Sequence, residues 1–465
     1  MTTRPLAVLG PLVGPALALL ASAAPLPSAA PDGPCVAGPE VAALDLEEVV
    51  LDWPDGTPHR IYHRDEEGRK QGDFREWYEN GQMRIRTSYE ADELDGRYES
   101  WFENGERKLD CAYKDGVLHG RYQEYTEDGE RAVTGKYDAG RKDGTFEYRR
   151  GEKKKSVASV QKWKDGELVE IDGFANPHPR AKSELAALLG GIEAMEIEPV
   201  LETKLEGAID PDVAAQRVAA LKRLMGYRGL AGLEYADMTL DEKFNWHCAA
   251  AARLLVVLGH LDHTPKKPPG VSDEEYKIAY EGTSKSNLSV GTDLPGSIDS
   301  YMDDSDPSNI DRVGHRRWCL NPAMKRTGFG IADNFSAMWS FDESRGSTSW
   351  EHVFYPSPGW YPCERIHPDA AWSVRFRGGA LDKYTPGEIE VELYALDDDY
   401  VRGAPMRLDY KGLSGGQVIF RGADVVVSPG RAYEVRILAQ GKRRPEELLH
   451  YYVEFTDLDV AATEE

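Results

Sequence analysis

The sequence predicts a multidomain α+β chain: an array of β-hairpins over residues 48–170, a helix-containing domain over residues 208–365, and an antiparallel β-sandwich over residues 370–460. Three features predict it. Gly72, Gly96, Gly120 and Gly144 stand 24 residues apart and mark an internal repeat. Apolar residues then recur at helical spacing between Asp210 and Leu258, as on amphipathic helices. From Trp372 onward the period drops to two, as on half-buried strands.

Ahead of the repeat, Arg4 precedes an apolar run from Leu6 to Ala23, broken by Gly10, Pro11, Gly14 and Pro15 and ending in Ala21-Ser22-Ala23. A positive start, an apolar middle and a small-residue exit read as a secretory signal peptide over residues 1–23. A secreted or periplasmic protein is therefore expected. No later segment reaches the ~18 consecutive apolar residues of a spanning helix, so no transmembrane segment is expected after signal removal.

Two residues after each repeat glycine comes an aromatic: Phe74, Tyr98, Tyr122 or Phe146. Asn80-Gly81, Asn104-Gly105 and Asp128-Gly129 keep the same register, as do Tyr89, Tyr113 and Tyr137. Asn-Gly and Asp-Gly supply the positive φ angles of a two-residue type I′ turn, so each unit is expected to be a hairpin. Asp55-Gly56 and Lys164-Asp165-Gly166 mark degenerate units at the two ends. The pattern Gly-x-Tyr-x-x-Trp-Tyr-x-Asn-Gly resembles the MORN repeat in its bacterial variant, which implies hairpins joined edge to edge in a twisted ribbon. Trp77, Trp101 and Tyr125 add an aromatic row, either core packing or a surface for a partner or glycan.

Asn176-Pro177-His178-Pro179 reads as a linker, because proline resists both helix and sheet. Beyond it, Asp210–Leu224 and Asp241–Leu258 read as amphipathic helices. In the second, Phe244, His247, Ala251, Leu254 and Leu258 share one stripe, Thr239 and Glu242 form a capping box, and Gly259 ends the helix. The stripe makes His247 a core histidine rather than a ligand. His260, beside Gly259, belongs to the helix end.

Functional side chains crowd the next stretch. In order come Leu261-Asp262-His263-Thr264-Pro265, Glu281-Gly282-Thr283-Ser284-Lys285-Ser286-Asn287, Tyr301-Met302-Asp303-Asp304 and Gly314-His315-Arg316-Arg317-Trp318. Their order and spacing resemble the CAP superfamily, the cysteine-rich secretory protein, antigen 5 and pathogenesis-related 1 group, in its shorter bacterial form. The resemblance covers residues 208–365. It implies an α/β/α sandwich with an open cleft lined by a His, a Glu, a second acid and a His. Carried over residue by residue, these are His263, Glu281, Asp304 and His315, with Asp303 as the alternative second acid. Here a Gly follows Glu281 and the Asn arrives later, at Asn287, where the family's Gly-Glu-Asn is contiguous. Within this region one disulfide, Cys319 to Cys363, is weighed against buried free thiols.

Beyond the cleft region, Trp372, Val374 and Phe376, then Ile389, Val391 and Leu393, then Tyr433, Val435 and Ile437, then Tyr451, Val453 and Phe455 alternate with polar residues. Such runs, bounded by turns such as Ser428-Pro429-Gly430, indicate an antiparallel sandwich similar in texture to immunoglobulin-like and fibronectin-like modules.

Composition narrows the function. A formal charge of −24, from 80 acidic and 56 basic residues, argues against phosphate-rich partners, which need a basic face, so no nucleic-acid partner is expected. Five cysteines in 465 residues are too few for a disulfide scaffold. Two imidazoles and two carboxylates on one cleft can hold zinc or another divalent metal through His263 and His315. They can also perform general acid and base work, or form a network that shapes the cleft. No His-Glu-x-x-His helix and no nucleophile elbow, which needs a strand turning into a helix, is read from the chain. This leans away from an enzyme and toward a binding module for a protein, glycan or lipid of the cell envelope or exterior. A metal-dependent, peptidase-like hydrolase using the same cleft is the alternative. Arg316 and Arg317 either steer an anion into the cleft or pair with acids such as Asp304 and Asp311. Gly328-Phe329-Gly330 reads as a strand with close backbone approach and not as a phosphate loop.

Overall fold

The computed structural model describes residues 46–149, 157–199, 202–203, 207–208, 210–346, 348–441 and 444–458; the expected signal peptide and Cys35 lie outside them. Between Glu47 and Ala175 the repeat region forms one 14-stranded sheet whose strands follow one another in chain order. Each repeat glycine sits across from an aromatic: Gly72 opposite Tyr89, Gly96 opposite Tyr113 and Gly120 opposite Tyr137. Each of these glycines has positive φ, at +73, +101 and +88, a conformation that a side chain would strain, and each facing ring meets the aromatic two residues beyond the glycine. Phe74–Tyr89, Tyr98–Tyr113 and Tyr122–Tyr137 make edge contacts at 5.5, 5.7 and 5.2 Å, the geometry that ring quadrupoles favour.

The Asn-Gly and Asp-Gly turns correct the sequence reading. The N–H groups of Gly81, Gly105 and Gly129 donate three residues back, to the carbonyls of Tyr78, Phe102 and Thr126, and in each turn only the glycine has positive φ. This is a type I turn closed by a glycine bulge, not a two-residue type I′ loop. Asn80 stays out of the left-handed region while its side chain bridges two repeats. Its Oδ1 accepts from Gln82 N and its Nδ2 donates to Glu103 O, both at 2.9 Å. Asn104 repeats the pattern toward Glu106 and Glu127. The two-residue turns with both φ positive lie at the other end of the hairpins, at Ala91-Asp92, Asp115-Gly116 and Ala139-Gly140. Gly105→Val is expected to destabilise the protein by more than ~1 kcal/mol in a denaturant melt, because a β-branched residue is strained at positive φ. Gly105 has φ +87; an unchanged midpoint would show that the turn relaxes.

Helices follow: α1 (Lys182–Glu193), α2 (Pro211–Leu230), α3 (Glu242–Leu258), α4 (Asp273–Ser284), α5 (Leu294–Asp303) and α6 (Gly314–Cys319). Asp241 caps α3 by accepting from Phe244 N at 3.1 Å, which replaces the expected Thr239 and Glu242 box. Thr239 instead pairs in parallel with Arg326. Gly259, at φ +74, ends α3 as expected.

A three-stranded antiparallel sheet, ordered Ser286–Val290, Phe335–Trp339, Phe329–Ala332, has helices against both faces. Phe335, Ala337 and Trp339 cluster with Cys248, Ala251 and Leu255 of α3. Met338, pointing the other way, clusters with Leu221 of α2 and Ile298 of α5. Strand Phe329–Ala332 and α3 touch backbone to backbone, since a Cβ on Gly330 would lie 2.1 Å from Ala249 N.

The C-terminal part is a four-stranded and a five-stranded sheet enclosing Trp372. Trp372 meets Phe420 in its own sheet, and Tyr433 and Phe455 in the other, at 6.0, 5.7 and 6.0 Å. One strand departs from the antiparallel expectation: Gly359–Pro362 runs parallel to the end of Glu446–Thr456. The sandwich is packed on both neighbours. Its Val401 joins Val133, Phe146 and Tyr148 of the array, and its Ala371 and Ile419 join Ile310 and Val313 beside α6. Among the described residues, no helix is long and apolar enough to cross a membrane.

Candidate functional site

Three element ends converge on one cleft. Past the stop at Gly259, the chain carries His263 to the end of α4, where its Nδ1 donates to Thr283 O at 2.9 Å. Helix α5 stops at Asp304, whose φ of +45 turns the chain and whose side chain is buried. The Asp304 carboxylate takes three donors from the start of α6. His315 Nδ1 donates to Oδ1 at 2.8 Å, His315 N to Oδ2 at 2.9 Å, and Arg316 N to Oδ2 at 3.3 Å. A carbonyl and a carboxylate only accept, so each imidazole carries its hydrogen on Nδ1 and, when neutral, keeps a lone pair on Nε2. The two rings lie 6.4 Å apart. Asn287 holds the back wall, donating to His315 O at 3.0 Å, and Tyr301 Oη donates to Asn287 O at 3.1 Å.

The cleft encloses about 630 Å³. Beside the histidines its polar lining includes Asp262, Ser284, Ser286, Arg312 and Arg317, and its apolar lining Leu261, Leu288, Trp318 and Phe341. Trp318 packs on Phe341 at 4.1 Å, and the Arg317 guanidinium lies 5.6 Å from the Trp318 ring.

Of the four expected residues, the structure brings His263, Asp304 and His315 together and turns Glu281 elsewhere. Glu281 Oε1 accepts from Lys285 Nζ at 2.9 Å, and Oε2 lies 3.7 Å from His247 Nε2. The Lys285 hydrogen bond holds its carboxyl below the usual range, against the effect of burial. The phase of α4 presents Ser284 to the cleft in its place. His247 is buried and its Nδ1 donates to Ile278 O at 3.0 Å, as a core histidine. Asp303, the alternative acid, lines a different pocket with Arg223 and Asp299.

The two arginines divide. Arg316 is buried and donates to Met302 O at 2.6 Å, Ala371 O at 2.7 Å and Ser373 Oγ at 3.1 Å, fastening α6 to the sandwich. Arg317 faces the cleft. Sequence reasoning passed over Arg312, Asn309 and Phe341 as cleft residues, because only the docking of separate loops gathers them. Cys319 and Cys363 are free thiols, so the Cys319–Cys363 bridge is corrected. Cys319 sits in the core within 3.5 Å of Asn287 Nδ2, and burial pushes its thiol up to about 12.

Among the described residues, no group of three or more His, Cys, Asp or Glu side chains is placed to hold a metal ion. Zinc centres take three or four protein ligands, and Asp304 is already occupied by three N–H donors. His263 and His315 alone do not fit a resident metal.

A family model described as the MORN repeat variant matches residues 70–91. That segment is the hairpin of Lys70–Trp77 and Met83–Glu90. No curated protein matches the chain. Residues 70–91 are therefore a MORN repeat variant, and the same glycine, aromatic and turn positions recur through the sheet that contains it.

Proposed function

We propose that the chain is a secreted or periplasmic ligand-binding protein with a CAP-type domain within residues 208–365, whose last part, His352–Tyr355 and Gly359–Pro362, pairs into the sandwich sheets, and that its ligand lies between His263 and His315. Helices on both faces of a small sheet, and the convergence of His263, Asp304 and His315, support the CAP reading. One observation carries the function: two imidazoles 6.4 Å apart, each fixed through Nδ1, line an open cleft. A few fixed polar groups in a cleft with apolar walls orient a ligand.

The lining names the ligand chemistry. Arg312 and Arg317 outnumber the single carboxylate of Asp262, a local reversal in a chain of charge −24. Leu261, Leu288, Trp318 and Phe341 supply apolar surface beside them. This pairing suits an envelope lipid, its anionic head between the basic groups and its chain on the Trp318–Phe341 wall. Titrating oleate below its micellar range into the full-length protein, read by tryptophan fluorescence, is expected to saturate. Arg317→Glu is expected to weaken binding by about tenfold or more, since it turns an attraction into a repulsion. Unsaturable binding, or equal affinity in the variant, contradicts the proposal.

A second reading rests on Asp304, His315 and the serines of the same cleft. A buried carboxylate behind an imidazole is two thirds of the layout of a hydrolase that needs no metal; Ser284, on the same lining, donates its hydroxyl to Glu281 O at 3.2 Å and would have to turn toward His315 to complete it. The binding account expects no hydrolysis of a short-chain nitrophenyl ester above the buffer rate. Turnover that His315→Ala abolishes would establish the hydrolase instead.

A further inference from the structure

A second cleft, of about 620 Å³, opens where the last hairpins of the array, the segment before α1 and the sandwich meet. Its wall is a run of rings drawn from all three parts. Trp163 meets Tyr400 edge-on at 5.9 Å and 63°, Tyr400 meets His178 edge-on at 6.2 Å and 74°, and His178 stacks on Trp360 at 4.0 Å with an 8° interplanar angle. The wall is held from behind. Tyr400 Oη donates to Glu454 Oε2 at 2.6 Å, and His178 Nε2 lies 3.0 Å from the same oxygen. Tyr400 has φ +56, a strained conformation for a bulky residue of the kind that collects at binding sites. The Asn176–Pro179 segment, expected to be a linker, is thus docked: a Cβ on Gly359 would lie 2.8 Å from Pro179 Cδ.

Polar groups ring the wall. Asn176, Glu167 and Ser183 line the same cleft, offering amide, carboxylate and hydroxyl hydrogen-bonding groups. With His178 on one face of Trp360, the opposite face is left to the Lys182 ammonium, 3.8 Å from the ring centroid. Lys182 is exposed, so a ligand can displace it from the ring. Exposed cation–π contacts contribute only ~0.5–1 kcal/mol.

We infer that this junction is a second ligand site, separate from the two-histidine cleft, and that it binds an oligosaccharide. A flat pyranose face matches the Trp360 face that Lys182 covers, and ring hydroxyls match the amide, carboxylate and hydroxyl groups at the rim. The site exists only where array and sandwich are docked, so an intact chain is required to form it. A basic peptide is the competing occupant, because aromatic faces beside carboxylates also take cations.

The test uses the full-length protein, calorimetry, and three probes: chitohexaose, cellohexaose and tetralysine. At least one of the two sugars is expected to bind saturably, and tetralysine is expected not to bind. Trp360→Ala is expected to weaken the sugar by about tenfold or more, as truncating a central aromatic anchor does. Lys182→Ala, a change at an exposed position that leaves folding intact, is expected to tighten it severalfold by clearing the Trp360 face. The inference is overturned if neither sugar binds, if sugar affinity is unmoved in both variants, or if tetralysine binds and Lys182→Ala strengthens it.

Discussion

Substituting Ala for Gly330 is expected to lower folding stability by ~3 kcal/mol, the upper end of what overpacking a well-filled core usually costs. Strand Phe329–Ala332 crosses α3 in backbone contact: the new Cβ would lie 2.1 Å from Ala249 N and 2.2 Å from Cys248 C. Neither atom belongs to a flexible side chain, so the strand or the helix has to move. Moving the strand shifts Phe329, whose carbonyl accepts from buried Arg217 Nε at 2.7 Å and whose N–H donates to Asn245 Oδ1 at 2.9 Å. Gly387→Ala is the reference substitution, because nothing lies within 4 Å of its Cβ position and its backbone is not left-handed. Thermal melts of the two variants decide the matter. Equal midpoints would mean that the close approach of strand and helix is not kept in solution.

Asp304→Asn is expected to be the most damaging near-isosteric change at the cleft, with a loss of ~2–4 kcal/mol and a fall of about tenfold or more in oleate affinity. Asn tolerates the left-handed backbone of Asp304, at φ +45, so the substitution isolates the carboxylate. The carboxylate accepts from three N–H groups, and an amide offers one oxygen and two further donors in its place. His315 then loses the acceptor that fixes hydrogen on Nδ1, and its lone pair is no longer held on Nε2. Asp303→Asn is the control, since Asp303 lies next in sequence but lines another pocket. Equal losses in both variants would show that general damage to the end of α5, and not the Asp304–His315 contact, is responsible.

The array was legible in the sequence because one physical cause recurs every 24 residues: a backbone position at positive φ, which glycine adopts without strain, two residues before an aromatic. The turn type was not legible. Asn-Gly favours type I′ only when Asn is free to adopt positive φ, and Asn80 and Asn104 are engaged with the following repeat, 23 residues on. Two Ala-containing loops, Ala91-Asp92 and Ala139-Gly140, adopt the left-handed turns instead, forced by the strand pairing on either side.

At the cleft, His263, Asp304 and His315 were legible only through the order and spacing that carry the resemblance, since no local pattern marked the ends of α5 and α6. Glu281 shows the limit of that approach. Its place in the order matched, but the phase of α4 and the Lys285 partner four residues on turn it away. The second cleft left no local trace. Trp163, His178 and Trp360 are far apart in the chain and meet only because the sandwich docks on the array through Val401 and through Gln161 Nε2, which donates to Asp399 O at 2.6 Å.

The most direct measurement is a long-range 1H–15N spectrum of the histidine side chains in the full-length protein near neutral pH, recorded while oleate is added. The account predicts that both cleft histidines begin with hydrogen on Nδ1, and that the Nε2 signals of His263 and His315 shift together and saturate. Those of His247, buried against Ile278, and His260, at the end of α3, should stay in place. Unmoved His263 and His315 signals at saturating oleate, or shifts confined to other histidines, would contradict a ligand held between the two imidazoles.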